Sequence, residues 1–86
     1  MEGAILTGAN LGYANLIGAN LKNAKLNSAD LGNVKFMDAN LTGASLANAS
    51  IYSANFTGAD MSGVILNGTQ GCGYAIAPDG SGGIRC

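Results

Sequence analysis

The chain lacks histidine and tryptophan, and it has one proline, two cysteines, four basic residues and five acidic residues among its 86. Without histidine, neither a histidine general base nor a serine–histidine triad can form. The net charge is −1 and no basic run occurs, which argues against binding of a nucleic-acid backbone. No apolar stretch approaches the roughly 20 residues that span a bilayer. We therefore expect no membrane span, no nucleic-acid partner and no histidine-based catalysis.

A repeat of five residues dominates what is present. A large apolar side chain stands at every fifth position, and alanine or valine stands two residues before it. A step of five residues rotates about 140° around a helix axis, so it builds no single apolar stripe. A long strand would need alternation throughout. The pattern predicts very short extended pieces that each lead into a turn, with a structural core made of Leu6, Leu11, Leu16, Leu21, Leu26, Leu31, Phe36, Leu41, Leu46, Ile51, Phe56, Met61 and Leu66.

The last position of each five-residue unit, or pentad, supports the turns. It holds glycine, asparagine, aspartate or serine in every pentad except the one that ends at Tyr13. Glycine tolerates positive φ, and the short polar side chains bond to their own backbone in turns. A turn at every fifth residue makes the chain wind, so the sequence predicts a solenoid with both apolar positions facing inward.

The units Ala9-Asn10-Leu11, Ala19-Asn20-Leu21, Ala29-Asp30-Leu31 and Ala39-Asn40-Leu41 resemble those of the pentapeptide-repeat family. The resemblance covers residues 4–68. It implies an all-β fold, a right-handed quadrilateral β-helix, with four pentads per coil and about three coils over residues 1–68. Residues twenty apart should then lie above one another, and Phe36 should stack on Phe56.

The repeat ends after Leu66, and residues 69–86 are rich in glycine. We expect this segment to form a short loop that caps the last coil. In this interpretation Tyr74 and Ile76 fold over the coil and cover Phe56, Met61 and Leu66.

Cys72 and Cys86 bracket that loop. A disulfide between them would close a ring of about 15 residues and contribute about 3 kcal/mol in the chain-entropy model. Two free thiols or half of a zinc site are the alternatives, although a structural zinc site needs four ligands. The tail also resembles the cysteine-bracketed Pro-Asp-Gly tail of some secreted or thylakoid-lumenal pentapeptide-repeat proteins. A bridge predicts a secreted, periplasmic or thylakoid-lumenal protein, whereas free thiols predict a cytoplasmic one.

The outward positions are where recognition should occur. Most carry asparagine, threonine, serine or glycine, but Tyr13, Ile17, Met37 and Tyr52 form a possible interaction patch. Scattered surface apolarity is the alternative explanation. Asp30 and Asp60 occupy the slot of the repeating asparagines, so we expect them to form surface hydrogen bonds.

The sequence is best interpreted as a non-enzymatic structural or protein-interaction module, such as an accessory subunit of a larger assembly, with no catalytic, metal or cofactor residues. Met1 already stands in the apolar register. We therefore expect either docking of an open coil end onto a protein partner or a second copy, or an excised or engineered fragment of a longer β-helix. A second function that the resemblance implies is that of a DNA-mimicking modulator of DNA gyrase. Those proteins are long, acidic rods, whereas this chain is short and nearly neutral.

Overall fold

The computed structural model describes residues 1–86, and its backbone contains no α-helix and no continuous strand. Each pentad contributes one bridge residue that pairs with a neighbouring coil, and a two-residue turn separates it from the next. The one helical element is a 3₁₀ turn at Cys72–Tyr74. The alternation of a bridge residue with a turn is what the five-residue pattern predicts.

Parallel bridges connect residues that are twenty positions apart. Four pentads therefore complete one four-sided coil, and each coil lies on the previous one through backbone hydrogen bonds. The bridged pairs are Ile5 with Lys25, Asn10 with Asp30, Asn15 with Lys35, Asn20 with Asn40, Lys25 with Ser45, Asp30 with Ser50, Lys35 with Asn55, Asn40 with Asp60, Ser45 with Ile65 and Ser50 with Gln70.

A hydrogen bond between consecutive pentads closes each corner of the coil. In the second pentad the Ala9 N–H donates to the Leu6 carbonyl oxygen at 3.0 Å, and Gly8 between them has φ of 73°. A positive φ at the third residue of the turn is what a type II turn requires. Tyr13, which departs from the pattern of small turn residues, adopts the same conformation with φ of 65°.

The core lies in the middle of the stack. All 17 buried residues are apolar, and all but Ala75 lie between Leu21 and Ala59. The rings of Phe36 and Phe56 stack with centroids 4.8 Å apart and planes 8° from parallel, as the twenty-residue spacing predicts. At the two ends the inward side chains are only half-buried, because no further coil covers them: these are Leu6, Leu11, Leu16, Met61 and Leu66.

The tail continues the ladder with a slip of one residue. Gln70 pairs with Ser50, but the next bridge joins Ile76 to Asn55. The additional residue is accommodated by the 3₁₀ turn and by Gly71, which has φ of 82°.

This slip corrects the prediction for the cap. Ala75, 1% exposed, takes the inward position, whereas Tyr74 is 73% exposed and Ile76 occupies the bridge position. Met61 and Leu66 stay half-buried. The prediction that Tyr74 and Ile76 cover them is wrong, because one inserted residue reverses which side chains face the core.

The last residues fold back on this segment. Ile76 forms an antiparallel bridge with Gly82, and the Ala77 N–H donates to the Ser81 carbonyl oxygen at 2.8 Å. The Ile84 N–H then donates to the Cys72 carbonyl oxygen at 2.7 Å. A disulfide joins Cys72 to Cys86 across a Cα–Cα distance of 6.2 Å. The cysteines are therefore paired with each other, and neither is a free thiol or a zinc ligand.

Candidate interaction surface

The polar residues at the bridge positions bond to the turns that follow them. The Asp30 carboxylate accepts a hydrogen bond from the Gly32 N–H at 3.1 Å, and the Asn10 carboxamide oxygen accepts one from the Gly12 N–H at 3.2 Å. Asp60 accepts one in the same way from the Ser62 N–H at 3.0 Å. These carboxylates and amides therefore stabilise turns on the outside of the coil.

Two carboxyl groups have a lowered pKa for this reason. The Ser62 N–H, followed by the Ser62 hydroxyl, lowers the pKa of Asp60. The Ser81 hydroxyl, followed by the Ser81 N–H, lowers the pKa of Asp79 in the tail. Both aspartates are exposed. Their hydrogen bonds favour the charged form, which is the opposite of what a general acid needs.

Three of the four residues of the candidate patch are well exposed. Tyr13 is 79% exposed, Ile17 48% and Tyr52 47%, whereas Met37 is half-buried. Ile17 and Met37 stand at one corner of successive coils, where the Gly18 N–H donates to the Met37 carbonyl oxygen at 2.9 Å. Tyr13 and Tyr52 belong to the neighbouring corner.

All three tyrosines of the chain lie at that neighbouring corner. The Tyr13 N–H donates to the Gly32 carbonyl oxygen, and the Asn33 N–H donates to the Tyr52 carbonyl oxygen, both at 2.9 Å. In the next layer the Ser53 N–H donates to the Tyr74 carbonyl oxygen at 3.2 Å. We name Tyr13, Tyr52 and Tyr74 the tyrosine ridge. Tyr74 is absent from the sequence-based patch because the twenty-residue rule fails after the slip in register.

Tyr52 also holds the tail in place. Its ring stacks on that of Tyr74, with centroids 5.7 Å apart and planes 27° from parallel. On the backbone side, a Cβ at Gly71 would lie only 2.7 Å from two atoms of the Tyr52 ring. Gly71 is therefore packed against the Tyr52 ring. Part of that ring is exposed to solvent, and part of it contacts the tail.

Two glycines leave the backbone bare beside the tyrosine ridge. Gly32 stands twenty positions before Tyr52 and Gly12 forty, so all three share one column. A Cβ at Gly32 would lie 3.7 Å from the Tyr52 carbonyl oxygen, and one at Gly12 would lie 3.7 Å from the Gly32 carbonyl oxygen. The column therefore carries a large ring at one end and no side chain in the two coils before it.

The structure contains neither a ligand pocket nor a cluster of metal-ligating side chains. The structure also contains no helix with the length and apolarity that a bilayer crossing demands. Recognition at this surface would therefore use an open face of the coil.

Known proteins place this geometry in context. The family described as "Pentapeptide repeats" matches residues 4–43 and 36–68, with eight copies of the repeat. No curated protein sequence matches the chain significantly.

Among the solved structures that are similar to the chain are two pentapeptide repeat proteins. One is a pentapeptide repeat protein from the thylakoid lumen of Arabidopsis thaliana, with 32% identity over 83% of this chain and 49% of that one, at a TM-score of 0.75. The other is HetL, a pentapeptide repeat protein involved in the regulation of heterocyst differentiation in the cyanobacterium Nostoc, with 35% identity over 91% and 40% of the two chains, at a TM-score of 0.54. The chain thus spans about half or less of the length of these proteins. Their likeness implies a right-handed quadrilateral β-helix.

Proposed function

The chain belongs to the pentapeptide-repeat family, and on that premise we propose that it is a non-enzymatic protein-interaction module that serves as an accessory part of a larger assembly. Proteins of this family are generally structural or interaction modules. The observation that carries the proposal is the set of exposed apolar side chains held at fixed spacing by adjacent corners of one coil, chiefly Tyr13, Ile17 and Tyr52.

The physical argument is one of preorganisation. Backbone hydrogen bonds to the coils above or below fix the corners that present Tyr13 and Tyr52. A partner that binds there orders little additional backbone, so less of the binding free energy is lost as entropy. Tyrosine is also enriched among residues that dominate interface energetics, because it offers a large contact area together with a hydroxyl. Met37, being half-buried, would contribute at the edge of such a contact.

Affinity capture from an extract of the source organism tests this proposal. Tyr13→Asn combined with Ile17→Asp should abolish capture of the partner. Ile65→Asp is a matched control, because Ile65 and Ile17 are both 48% exposed and Ile65 stands on a different side of the coil. Equal capture by the wild type and both variants would reject the patch.

We propose further that residues 1–68 form the β-helix proper, with about three coils, and that residues 69–86 form its cap. The twenty-residue period of the bridges supports this division, together with its change to twenty-one between Asn55 and Ile76. The disulfide supports residence in an oxidising compartment, such as a thylakoid lumen, a periplasm or the exterior. Protein isolated under thiol-blocking conditions should gain the mass of two hydrogen atoms on reduction; no gain would contradict the proposed compartment.

Self-association is a second candidate, favoured by the N-terminal coil. The N–H groups of Ile5, Asn10, Asn15 and Asn20 have no backbone partner in the 86-residue chain. Between residues 1 and 21 the only charged side chain is Glu2. Exposed edges are usually protected by charge, proline or a bulge, so an unprotected edge favours pairing.

Light scattering over a range of protein concentrations tests this second candidate. The 86-residue chain should form dimers. Ile5→Lys should shift it toward monomer, since Ile5 is 75% exposed and Lys25 already occupies the same position in the next coil. A monomer at every concentration would reject self-association and leave the tyrosine surface as the candidate site.

A further inference from the structure

The spacing between Tyr13 and Tyr52 in the tyrosine ridge matches the repeat of one kind of extended peptide. Tyr13 belongs to the first coil and Tyr52 to the third, so two coil spacings separate their levels. With adjacent strands about 4.8 Å apart, this separation is about 9.6 Å. A polyproline II helix has three residues per turn and rises about 3.1 Å per residue, so one turn advances about 9.3 Å. Prolines one turn apart would therefore meet Tyr13 and Tyr52. The Tyr74 ring, stacked with its centroid 5.7 Å from that of Tyr52, would enlarge the contact at the second proline.

We propose that the tyrosine ridge binds a proline-rich segment of another protein in the polyproline II conformation. The inference rests on the proposed interaction function and names the partner class of the same surface. Proline-rich segments dock into aromatic-lined surfaces because the extended helix is preformed and loses little entropy on binding.

The surroundings of the ridge suit the backbone of such a peptide. The carbonyl oxygens of a polyproline II helix have no internal partners and need donors. Asn33 lies between the levels of Tyr13 and Tyr52 and is exposed. Its amide and the tyrosine hydroxyls are donors of the required kind. Gly12 and Gly32 leave the adjoining backbone bare, so a chain can approach closely there.

Charge and composition define the occupant further. The turn positions at this corner carry no charged side chain, since they are Gly12, Tyr13, Gly32, Asn33, Tyr52 and Ser53. Beside them lies the exposed carboxylate of Asp30, whose oxygens stand 3.3 Å from a Cβ placed at Gly32 and 4.0 Å from one placed at Gly12. The corner therefore disfavours an acidic peptide. The chain contains a single proline, Pro78, so neither its own tail nor a second copy can supply a proline-rich segment. The occupant is therefore not residues 1–86 of this chain or of a second copy.

Titration of the isotope-labelled 86-residue chain with a synthetic decaproline peptide, followed by NMR, tests the inference. We expect saturable shifts of signals from Tyr13, Asn33 and Tyr74, with no comparable shifts from a glycine–serine peptide of equal length. Tyr13→Asn should weaken binding about fivefold or more. This variant should fold, because Tyr13 is 79% exposed and Asn33, in the same column, has φ of 60° against 65° for Tyr13.

Two further variants sharpen the test. Gly12→Leu fills the bare position and should also weaken binding; Gly12 has no positive φ, and a Cβ there meets only ordinary contacts, the nearest at 3.5 Å. Ile65→Ala, on another side of the coil, should leave the affinity unchanged. Spectra of each variant without peptide would verify that the fold is intact.

The inference fails if decaproline causes no saturable shifts, or if Tyr13→Asn binds as tightly as the wild type. It also fails if the glycine–serine peptide binds equally well. If cellohexaose shifts the tyrosine signals and decaproline does not, the ridge is a carbohydrate surface. If decaproline fails but capture of a protein partner still depends on Tyr13 and Ile17, the interaction function stands and only the partner class is wrong.

Discussion

At the scale of single residues, the turn position of one coil limits what the next coil can carry. The Asn23 carboxamide oxygen occupies the place where a Cβ at Gly43 would stand. A carboxylate oxygen of Asp38 occupies the corresponding place at Gly58, and the carboxamide oxygen of Asn48 occupies it at Gly68. At these three places glycine avoids a contact with the side chain twenty residues before it, whereas Ser53 follows Asn33 at the same spacing, so the contact favours glycine without requiring it. This preference adds to the left-handed conformation that glycine adopts at these positions without cost.

Gly43→Ala and Gly18→Ala separate these two effects. Both glycines have φ near 70°, but a Cβ at Gly18 meets nothing within 4 Å. Gly18→Ala should cost about 1–2 kcal/mol for the left-handed conformation alone, and Gly43→Ala should cost slightly more, because the exposed side chain of Asn23 must turn away from the new Cβ. Adding Asn23→Ser should recover the excess, since Ser28 already adopts φ of 60°. Urea unfolding measures the differences, and equal losses for the two alanine variants would contradict the steric effect.

The two aspartates with lowered pKa values make stability depend on pH in the acid range. A pKa that is lower in the folded than in the unfolded state stabilises the fold above the unfolded pKa. That contribution is lost as the pH falls through the folded pKa. The melting temperature should therefore stay flat down to about pH 4 and fall below it. The hydrogen bonds from Ser62 to Asp60 and from Ser81 to Asp79 provide the physical cause.

Asp60→Asn combined with Asp79→Asn should flatten this acid limb. Asparagine already fills the position of Asp60 in the preceding coils, at Asn20 and Asn40, so the substitution suits the turn. Melting temperatures of the wild type and the double variant, measured from neutral pH into the acid range, provide the comparison. An acid limb of unchanged depth in the variant would mean that other groups cause it.

At the scale of elements, the pentads were predictable from the sequence and the tail was not. Each pentad carries its own inward pair and its own turn residue, so local pattern alone determines the coil. In the tail, a single inserted residue before Ile76 reverses the inward and outward positions and brings Ala75 into the core. No local signal marks that insertion, because its effect depends on pairing with residues twenty-one positions earlier.

The candidate surface shows the same division. The exposure of Tyr13 and Tyr52 followed from their turn positions in the repeat. The position of Tyr74 beside Tyr52 did not, because contact between coils after the slip determines it. Met37 lies at a turn position but is half-buried, and its pattern position did not indicate this.

Removal of the disulfide tests whether the tail is an element distinct from the coil. Cys72→Ser with Cys86→Ser should lower the free energy of unfolding of the tail by about 3 kcal/mol, because the ring of about 15 residues is opened. The amide hydrogens of Phe56 and Gly83, which bond to the Ile76 and Ala75 carbonyl oxygens, should exchange faster. The Leu31 amide, bonded to the Ser50 carbonyl oxygen in the middle of the stack, should be unaffected. Equal acceleration at all three amides would show that tail and coil unfold as one unit.

At the scale of the whole molecule, burial rises from the ends of the stack toward its middle. Every inward side chain from Leu21 to Phe56 is buried, whereas those of the first coil and those of Met61, Val64 and Leu66 are only partly covered. In a solenoid each coil is stabilised by its own residues and by its immediate neighbours. An end coil has one neighbour where a central coil has two, so its share of the stability should be smaller.

Leu11→Ala and Leu31→Ala measure this gradient with the chemistry held constant. The two leucines stand in one column, in successive coils, but Leu31 is fully buried and Leu11 is not. Leu31→Ala creates a cavity between two coils and should cost about 2–5 kcal/mol. Leu11→Ala should cost distinctly less, because part of its side chain already contacts water and no coil closes over the gap.

Urea unfolding at low protein concentration provides both values. If the two costs were equal at low concentration but diverged when Ile5→Lys was added, a second copy would be covering the N-terminal coil. If they stayed equal in that background too, stability would be shared across the stack rather than passed between neighbouring coils.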